Sequence, residues 1–199
     1  MTRIKKTSPQ GTAVWPWLNE PDTRFDENGV YTVTLRLSAE DAEPFMADLK
    51  QIFRDGYDAE VKKQKKQKLK LANMPWTDHE DDQGNETGMI DFKFKQKSAY
   101  EYEGKKIENR VLLIDAKRNP VTDQIGGGSK IRVGFEPYVW YVPSMGVGMS
   151  LRLKAVQVID LVQYTKGQNT DEFDFKEEDG YTTAPFSTSN DTAGNGFDF

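Results

Sequence analysis

Apolar and polar residues alternate along several stretches of the chain, which is the pattern of half-buried β-strands. In VYTVTLRL at 30–37 every second residue is apolar, and the intervening positions hold Thr and Arg. Similar alternation predicts strands at 12–18, 90–97, 130–135 and 151–162, and the apolar run VLLID at 111–115 is typical of a central strand. Pro16 cannot donate to a strand ladder, so it predicts an edge position or a bulge. Asp26–Gly29 predicts a turn.

One segment has helical periodicity instead. Apolar residues recur every three or four positions from Phe45 to Tyr57, which predicts a core-facing helix over 38–61. Ser38 or Asp41 is suited to cap it, and Pro44 then falls in or near its first turn. A basic and acidic insertion follows at 62–88: six lysines between Lys62 and Lys70, then WTDHEDDQGNETG, which predicts a loop.

Five to seven strands and one helix, without a strand–helix–strand rhythm, predict a mainly β fold. The simplest barrel of this kind is the OB-fold, a five-stranded Greek-key barrel, here with extra strands and one α-helix. We assign residues 1–166 to this domain and residues 167–199 to a disordered tail. The tail is rich in Asp, Glu, Ser, Thr, Asn and Gly, which bury too little apolar surface to offset the entropy of ordering.

The net charge of −5 is divided unevenly along the chain. The tail has eight acidic residues and one basic residue, whereas residues 1–166 hold 26 Lys and Arg against 24 Asp and Glu. A slightly basic body joined to an acidic tail is a charge asymmetry typical of nucleic-acid-binding proteins. The tail ends in Phe197, Asp198 and Phe199, an arrangement suited to docking in a basic and apolar pocket of a protein partner.

Composition excludes most catalytic chemistry. The chain has no Cys and only one His, His79, which excludes disulfides, thiolate zinc sites, cysteine nucleophiles and multi-histidine metal centres. IGGGSK at 125–130 precedes a predicted strand and does not match a phosphate-binding loop, so it predicts a mobile glycine turn. We therefore predict no enzyme activity, no catalytic residue, no metal and no cofactor. No apolar run approaches the roughly 20 residues of a membrane span, so no membrane association is expected.

Basic residues occupy the polar face of three predicted strands, as in the sets Lys93/Lys95/Lys97, Lys130/Arg132 and Arg152/Lys154. Ordinary solvated strands also carry Lys, but three together would form a positive surface able to follow a phosphate backbone. Aromatic residues lie among them and could stack on bases, and for Trp15 and Trp17 a core position is equally compatible with the pattern. The predicted DNA-binding residues are Lys93, Lys95, Tyr100, Tyr102, Lys130, Arg132, Tyr138, Trp140 and Arg152.

Several motifs in this order resemble a known family. They are GTA at 11–13, GVY at 29–31, FKFK at 92–95, IGGGSK at 125–130, PYVW at 137–140, VGMSLRLKAVQVIDL at 147–161 and the acidic, Phe-ended tail. The chain is similar in these motifs to bacteriophage single-stranded DNA-binding proteins of the T7-type replisome. The resemblance implies an OB-fold that binds single-stranded DNA without sequence preference in phage replication, recombination and repair, in the cytoplasm of the infected bacterial host.

The resemblance also implies partners and contacts. In the family the tail contacts the phage or host DNA polymerase and the helicase–primase, and it can occupy the DNA groove when DNA is absent; homodimers are usual. Lys95 in FKFK and Tyr138 in PYVW match positions used on DNA, whereas Asn28 replaces an Arg that the family can carry.

Two other functions are compatible with the sequence. The Lys62–Lys70 segment would suit a strand-annealing or double-stranded DNA-binding recombination protein, and the tail alone would suit a protein adaptor that binds no nucleic acid.

Overall fold

The computed structural model describes residues 4–163, which form ten strands and one helix. The predicted tail at 167–199, with Phe197, Asp198 and Phe199, lies outside the described residues. The elements are β1 (Lys6–Thr7), β2 (Gly11–Asp22), β3 (Val30–Ser38), α1 (Ala39–Gln64), β4 (Trp76–Glu80), β5 (Glu86–Lys97), β6 (Ala99–Tyr102), β7 (Lys105–Glu108), β8 (Leu112–Ile114), β9 (Lys130–Val142) and β10 (Gly146–Asp160).

Five of these strands close into a barrel. Going round it, β9 pairs with β2, β2 with β3, β3 with β5, β5 with β10, and β10 with β9 again. All of these pairs are antiparallel except β5–β10, which is parallel. β1 and β8 extend the sheet at its two ends, and β4 adds to β5. β10 closes the barrel because it pairs with β5 on one side and with β9 on the other. This closed five-stranded arrangement confirms the predicted OB-fold with extra strands.

The barrel core confirms the predicted alternation. In β3 the residues Tyr31, Val33, Leu35 and Leu37 are buried, and their polar neighbours are only half-buried. The phenylalanines of three elements meet in the centre, where the ring centroids of Phe94 and Phe135 are 5.2 Å apart and those of Phe45 and Phe92 are 4.9 Å apart. The outward faces of the same strands carry the polar and charged residues.

Helix α1 closes one side of this core. Its N-cap is Ser38, whose hydroxyl accepts a hydrogen bond from the backbone N–H of Asp41, the first of the two caps predicted. Pro44 is the sixth residue of the helix, close to its first turn as predicted. The helix ends at Gln64, three residues later than predicted, and Lys65 adopts a left-handed conformation there.

The prediction of a loop at 76–88 is wrong, because these residues form β4 and the start of β5. The Asp81 carboxylate closes their turn by accepting hydrogen bonds from the backbone N–H groups of Gln83 and Asn85, and Gly84 has a φ of +81°. Much of this hairpin is exposed on both faces. It therefore lacks the apolar alternation by which half-buried strands are recognised.

One further prediction needs correction. VLLID forms a three-residue strand, β8, at the edge of the sheet rather than in its centre, and Leu112 is exposed. In the IGGGSK segment the buried Ser129 hydroxyl donates to Gly126 O and accepts from Val162 N–H, so the turn is anchored to the end of β10 at its serine, while its mobility stays a prediction. Pro16, in contrast, lies as predicted at a bulge between Val14 and Trp17.

Within residues 4–163, α1 is too polar to qualify as a membrane-spanning helix.

Candidate nucleic-acid interface

A groove with a volume of about 850 Å³ crosses the outward faces of β5, β10 and β9. We call it the groove throughout. Its lining combines cations with aromatic rings: Val30, Lys95, Gln96, Lys97, Tyr100, Tyr102, Ile107, Asn109, Tyr138, Trp140, Ser150, Arg152 and Lys154.

Strand register places the central cations and rings side by side. Lys95 on β5 is the parallel partner of Arg152 on β10, and Ser150, two residues before Arg152, is the antiparallel partner of Tyr138 on β9. Because residues i and i+2 of a strand share a face, all four side chains lie on the outside of the barrel. The Arg152 guanidinium carbon is 3.6 Å from the Tyr138 ring centroid, a close cation–π contact. Tyr138 is 44% exposed, so its ring keeps a solvent-facing side.

Trp140 lines the groove and is held in one orientation. Its indole Nε1 donates a hydrogen bond to the Ser150 hydroxyl at 3.0 Å. Its ring lies directly on Gly148, where an added Cβ would be 2.3 Å from a ring carbon. The absence of a side chain at Gly148 thus lets the indole lie flat against β10, and the hydrogen bond fixes its orientation.

The hairpin of β6 and β7 forms one side of the groove. It is a separate two-stranded sheet, closed by Glu103 and Gly104 with φ values of +50° and +72°. Positive φ at both central residues is typical of a tight two-residue hairpin turn. Tyr100 and Tyr102 of β6 line the groove and are 45% and 59% exposed. The hairpin therefore adds two rings to the groove that also holds the rings of β9.

Charge in the groove is positive at its centre. Lys97 pairs with Asp26 at 3.2 Å and Lys154 pairs with the buried Glu136 at 3.8 Å. The hydrogen bond from Lys97 holds the pKa of the Asp26 carboxyl below its ordinary value, so this pair is charged at neutral pH. Lys95 and Arg152, in contrast, form no ion pair with any residue in the described range 4–163. These two are the cations most available to a phosphate.

The groove contains six of the nine predicted DNA-binding residues, which are Lys95, Tyr100, Tyr102, Tyr138, Trp140 and Arg152. Lys93 is exposed on the same face of β5 as Lys95 but is not part of the groove lining. Lys130 and Arg132 lie near the start of β9, and the Lys130 ammonium donates to the Thr12 hydroxyl at 2.8 Å.

Lys130 and Tyr138 are eight residues apart on one strand, a separation of about 26 Å at the usual rise per residue. Alternation identifies the face that a residue occupies but not its position along a barrel. The groove also contains residues outside the predicted set. Lys97 and Lys154 belong to the same basic alternation, whereas Gln96, Asn109 and Ser150 carry no signal in the sequence.

Within the described residues no group of three or more His, Asp or Glu is arranged to hold a metal ion.

Residues 11–161 match the sequence profile of a family described as "Single-stranded DNA-binding protein, Bacteriophage T7". The chain is 27% identical to the single-stranded DNA-binding protein of Enterobacteria phage T3 over 205 aligned positions, covering 93% of this chain and 88% of that protein.

Solved structures have the same fold. The crystal structure of gp2.5, a single-stranded DNA-binding protein of bacteriophage T7, superposes with a TM-score of 0.69 at 23% identity, covering 92% of this chain and all of that one. The single-stranded DNA-binding protein of bacteriophage Enc34 in complex with single-stranded DNA superposes with a TM-score of 0.60 at 13% identity, covering 80% and 88%.

Proposed function

The chain belongs to the single-stranded DNA-binding protein family of bacteriophage T7, and from this premise we propose that it binds single-stranded DNA without sequence preference along the groove. Membership of a family of DNA-binding proteins also confirms the prediction that the chain is not an enzyme.

One observation carries the proposal: a cation and an exposed aromatic ring in direct contact, Arg152 on Tyr138 at 3.6 Å, beside a second cation, Lys95, that is free of ion pairs among the described residues. Cations neutralise phosphates at any base sequence. Every base has a π-face, so stacking on a ring is equally tolerant of sequence. The combination therefore favours single-stranded nucleic acid of mixed sequence over a single small ligand.

In the proposed complex the backbone follows Lys95 and Arg152, and bases stack on the open side of Tyr138 and against Trp140. Tyr100 and Tyr102 approach from the β6–β7 hairpin and enclose the strand. Stacking needs bases that are not already paired inside a duplex, so the rings select single strands while the cations supply affinity.

The test is binding of labelled oligo-dT and of a matched duplex, measured by fluorescence anisotropy across a series of salt concentrations. We expect oligo-dT to bind more tightly than the duplex. We also expect log K to fall linearly with log salt with a slope of at least about 1.4, since each of two neutralised phosphates contributes ~0.7. Equal affinity for the duplex, or affinity independent of salt, would contradict the proposal.

We further propose that this binding serves phage DNA replication, recombination and repair in the cytoplasm of the infected bacterium. The acidic tail, with Phe197, Asp198 and Phe199, is proposed to recruit the phage or host DNA polymerase and the helicase–primase, and the chain is proposed to form homodimers. The negative charge of the tail supports a second role for it as an intramolecular competitor for the groove, since a tethered anion acts at high effective concentration. Removal of residues 167–199 should then tighten oligo-dT binding at low salt and abolish capture of the polymerase.

The strand-annealing alternative depends on Lys62–Lys70, which lies outside the groove lining. It predicts equal binding to single strands and duplexes, with duplex binding lost when those lysines are replaced by Gln.

A further inference from the structure

The lysine-rich segment that follows α1 is anchored by hydrogen bonds to the helix and to the start of β10. The Tyr57 hydroxyl donates to Leu69 O at 3.0 Å and accepts from Leu69 N–H at 2.9 Å. Val147 N–H donates to Lys70 O at 2.8 Å. Leu69 is buried, whereas Lys68 and Lys70 on either side of it are exposed. Both lysines are therefore presented to solvent from an anchored backbone.

The face that Lys70 occupies follows from two glycines of β10. Gly146 and Gly148 are two residues apart, so a side chain on either would project from the same face of the strand. A Cβ on Gly148 would be 2.3 Å from a carbon of the Trp140 ring, and a Cβ on Gly146 would be 3.1 Å from the Lys70 Cβ. Lys70 thus lies on the same outward face as Trp140 and follows it along β10.

This outward face of β10 is continuous with the groove. Arg152 and Ser150 line the groove, Gly148 lies under the Trp140 ring, and Gly146 is the next outward position. β10 pairs with β9 without a register shift between Gly146 and Arg152, so the same face is kept throughout. The six residues span about 20 Å at the usual rise per residue. A strand that leaves the groove past the indole therefore reaches the lysine-rich segment.

The charge along this stretch is positive and unopposed. Residues 65–75 contain four lysines and no acidic residue, and residues 142–150 contain no acidic residue either. Neither Lys68 nor Lys70 forms an ion pair with another residue in the range 4–163. Unpaired cations of this kind bind phosphates of any base sequence by releasing counterions from the nucleic acid.

We propose that Lys68 and Lys70 bind phosphates of the same DNA strand after it has passed Trp140, so that the binding site continues beyond the groove along the start of β10. This inference rests on the proposed function, because the strand that reaches the lysines is the one held in the groove. A single strand suits the arrangement because the lysines and the groove share one face, and glycines separate them instead of bulky side chains.

The position of the lysines distinguishes this role from strand annealing. Lysines that extend the path of one strand add affinity only when that strand is long enough to pass Trp140. They leave the preference for single strands over duplexes unchanged, because that preference comes from the rings in the groove. Lysines that held a second strand or a duplex would instead contribute to duplex binding.

The experiment titrates the full-length chain with unlabelled oligo-dT of about 4 to 16 nucleotides, the range of site sizes per OB-fold, and follows its tryptophan fluorescence. DNA is kept in excess so that each strand carries one copy. The double variant Lys68→Gln with Lys70→Gln should match the native chain on the shortest oligo-dT that binds. On the longest, its slope of log K against log salt should be smaller by about 1.4, at ~0.7 per phosphate. If the affinity at 1 M salt is unchanged, this weakens binding at 0.1 M salt roughly 25-fold.

Two further variants serve as controls. Lys50→Gln with Arg54→Gln removes the same charge from the exposed side of α1 and should leave the affinity unchanged at every length. Lys68→Arg with Lys70→Arg keeps the charge and should bind the longest oligo-dT nearly as well as the native chain. Normal binding of the shortest oligo-dT by the Gln variant shows that this variant is folded.

Equal affinities of the Gln variant and the native chain at every length would overturn the extended site and leave the proposed function intact. A loss of the same size on the shortest and the longest oligo-dT would overturn it as well, because the lysines would then act within the groove. Tighter binding by the variant would assign the lysines to the acidic tail, and a selective loss of duplex binding would assign them to strand annealing; both results contradict the inference. Failure of the native chain to bind any oligo-dT would instead reject the proposed function.

Discussion

Two pairs of basic residues on the outer face of the barrel look equivalent in sequence but differ in their surroundings. Lys95 and Arg152 come from neighbouring strands, lie side by side, and share a groove with four aromatic rings. Lys130 and Arg132 come from one strand, lie outside that groove, and one of them is bound to the Thr12 hydroxyl. Both pairs therefore place positive charge on an outward strand face, but only Lys95 and Arg152 share a groove with aromatic rings.

The strongest test of this difference removes the ring beside the cation. Tyr138→Ala should weaken oligo-dT binding by about 1–3 kcal/mol, because a base loses its stacking surface and Arg152 loses its contact. Tyr138→Phe keeps the ring and should bind nearly as well as the native chain. Fluorescence anisotropy measures both affinities, and thermal unfolding checks that each variant is folded. Full affinity in Tyr138→Ala would mean that the groove binds by charge alone.

A second test compares the two cation pairs directly. The double variant Lys95→Gln with Arg152→Gln should reduce the slope of log K against log salt by about 1.4. If the affinity at 1 M salt is unchanged, this reduction weakens binding at 0.1 M salt roughly 25-fold. Lys130→Gln with Arg132→Gln removes the same charge and is expected to change the slope far less. Similar slopes for the two double variants would show that DNA extends along the whole of β9.

The same distinction explains how much of the molecule could be predicted. The alternation in β3, β5, β9 and β10 could be interpreted correctly because one face of each strand packs on a common core. The β4–β5 and β6–β7 hairpins carry no such signal, since much of each is exposed on both faces, and the short edge strand β8 resembles a central one only in composition.

The candidate site divides in the same way. Lys95 and Tyr138 combine an outward position with neighbours of complementary chemistry, so both the pattern and the family resemblance indicate them. Lys130 and Arg132 share the pattern, but their distance from the rings depends on how β9 runs along the barrel. That is a property of strand pairing between distant segments, which the local alternation of residues does not encode.

The smallest expected effect comes from a lysine that is already neutralised. Lys97 lines the groove but pairs with Asp26 at 3.2 Å, and this contact keeps the pKa of Asp26 below its ordinary value. Because Asp26 stays ionised at neutral pH, Lys97 adds little net charge to the native groove.

The change Asp26→Asn should free Lys97 and raise the slope of log K against log salt by about 0.7. If the affinity at 1 M salt is unchanged, binding at 0.1 M salt becomes roughly fivefold tighter. Asp48→Asn, which frees Lys6 outside the groove lining instead, is the matched control and should leave binding to a short oligo-dT unchanged. An unchanged slope in Asp26→Asn would show that a phosphate already displaces the carboxylate in the complex, so that paired and unpaired lysines act alike.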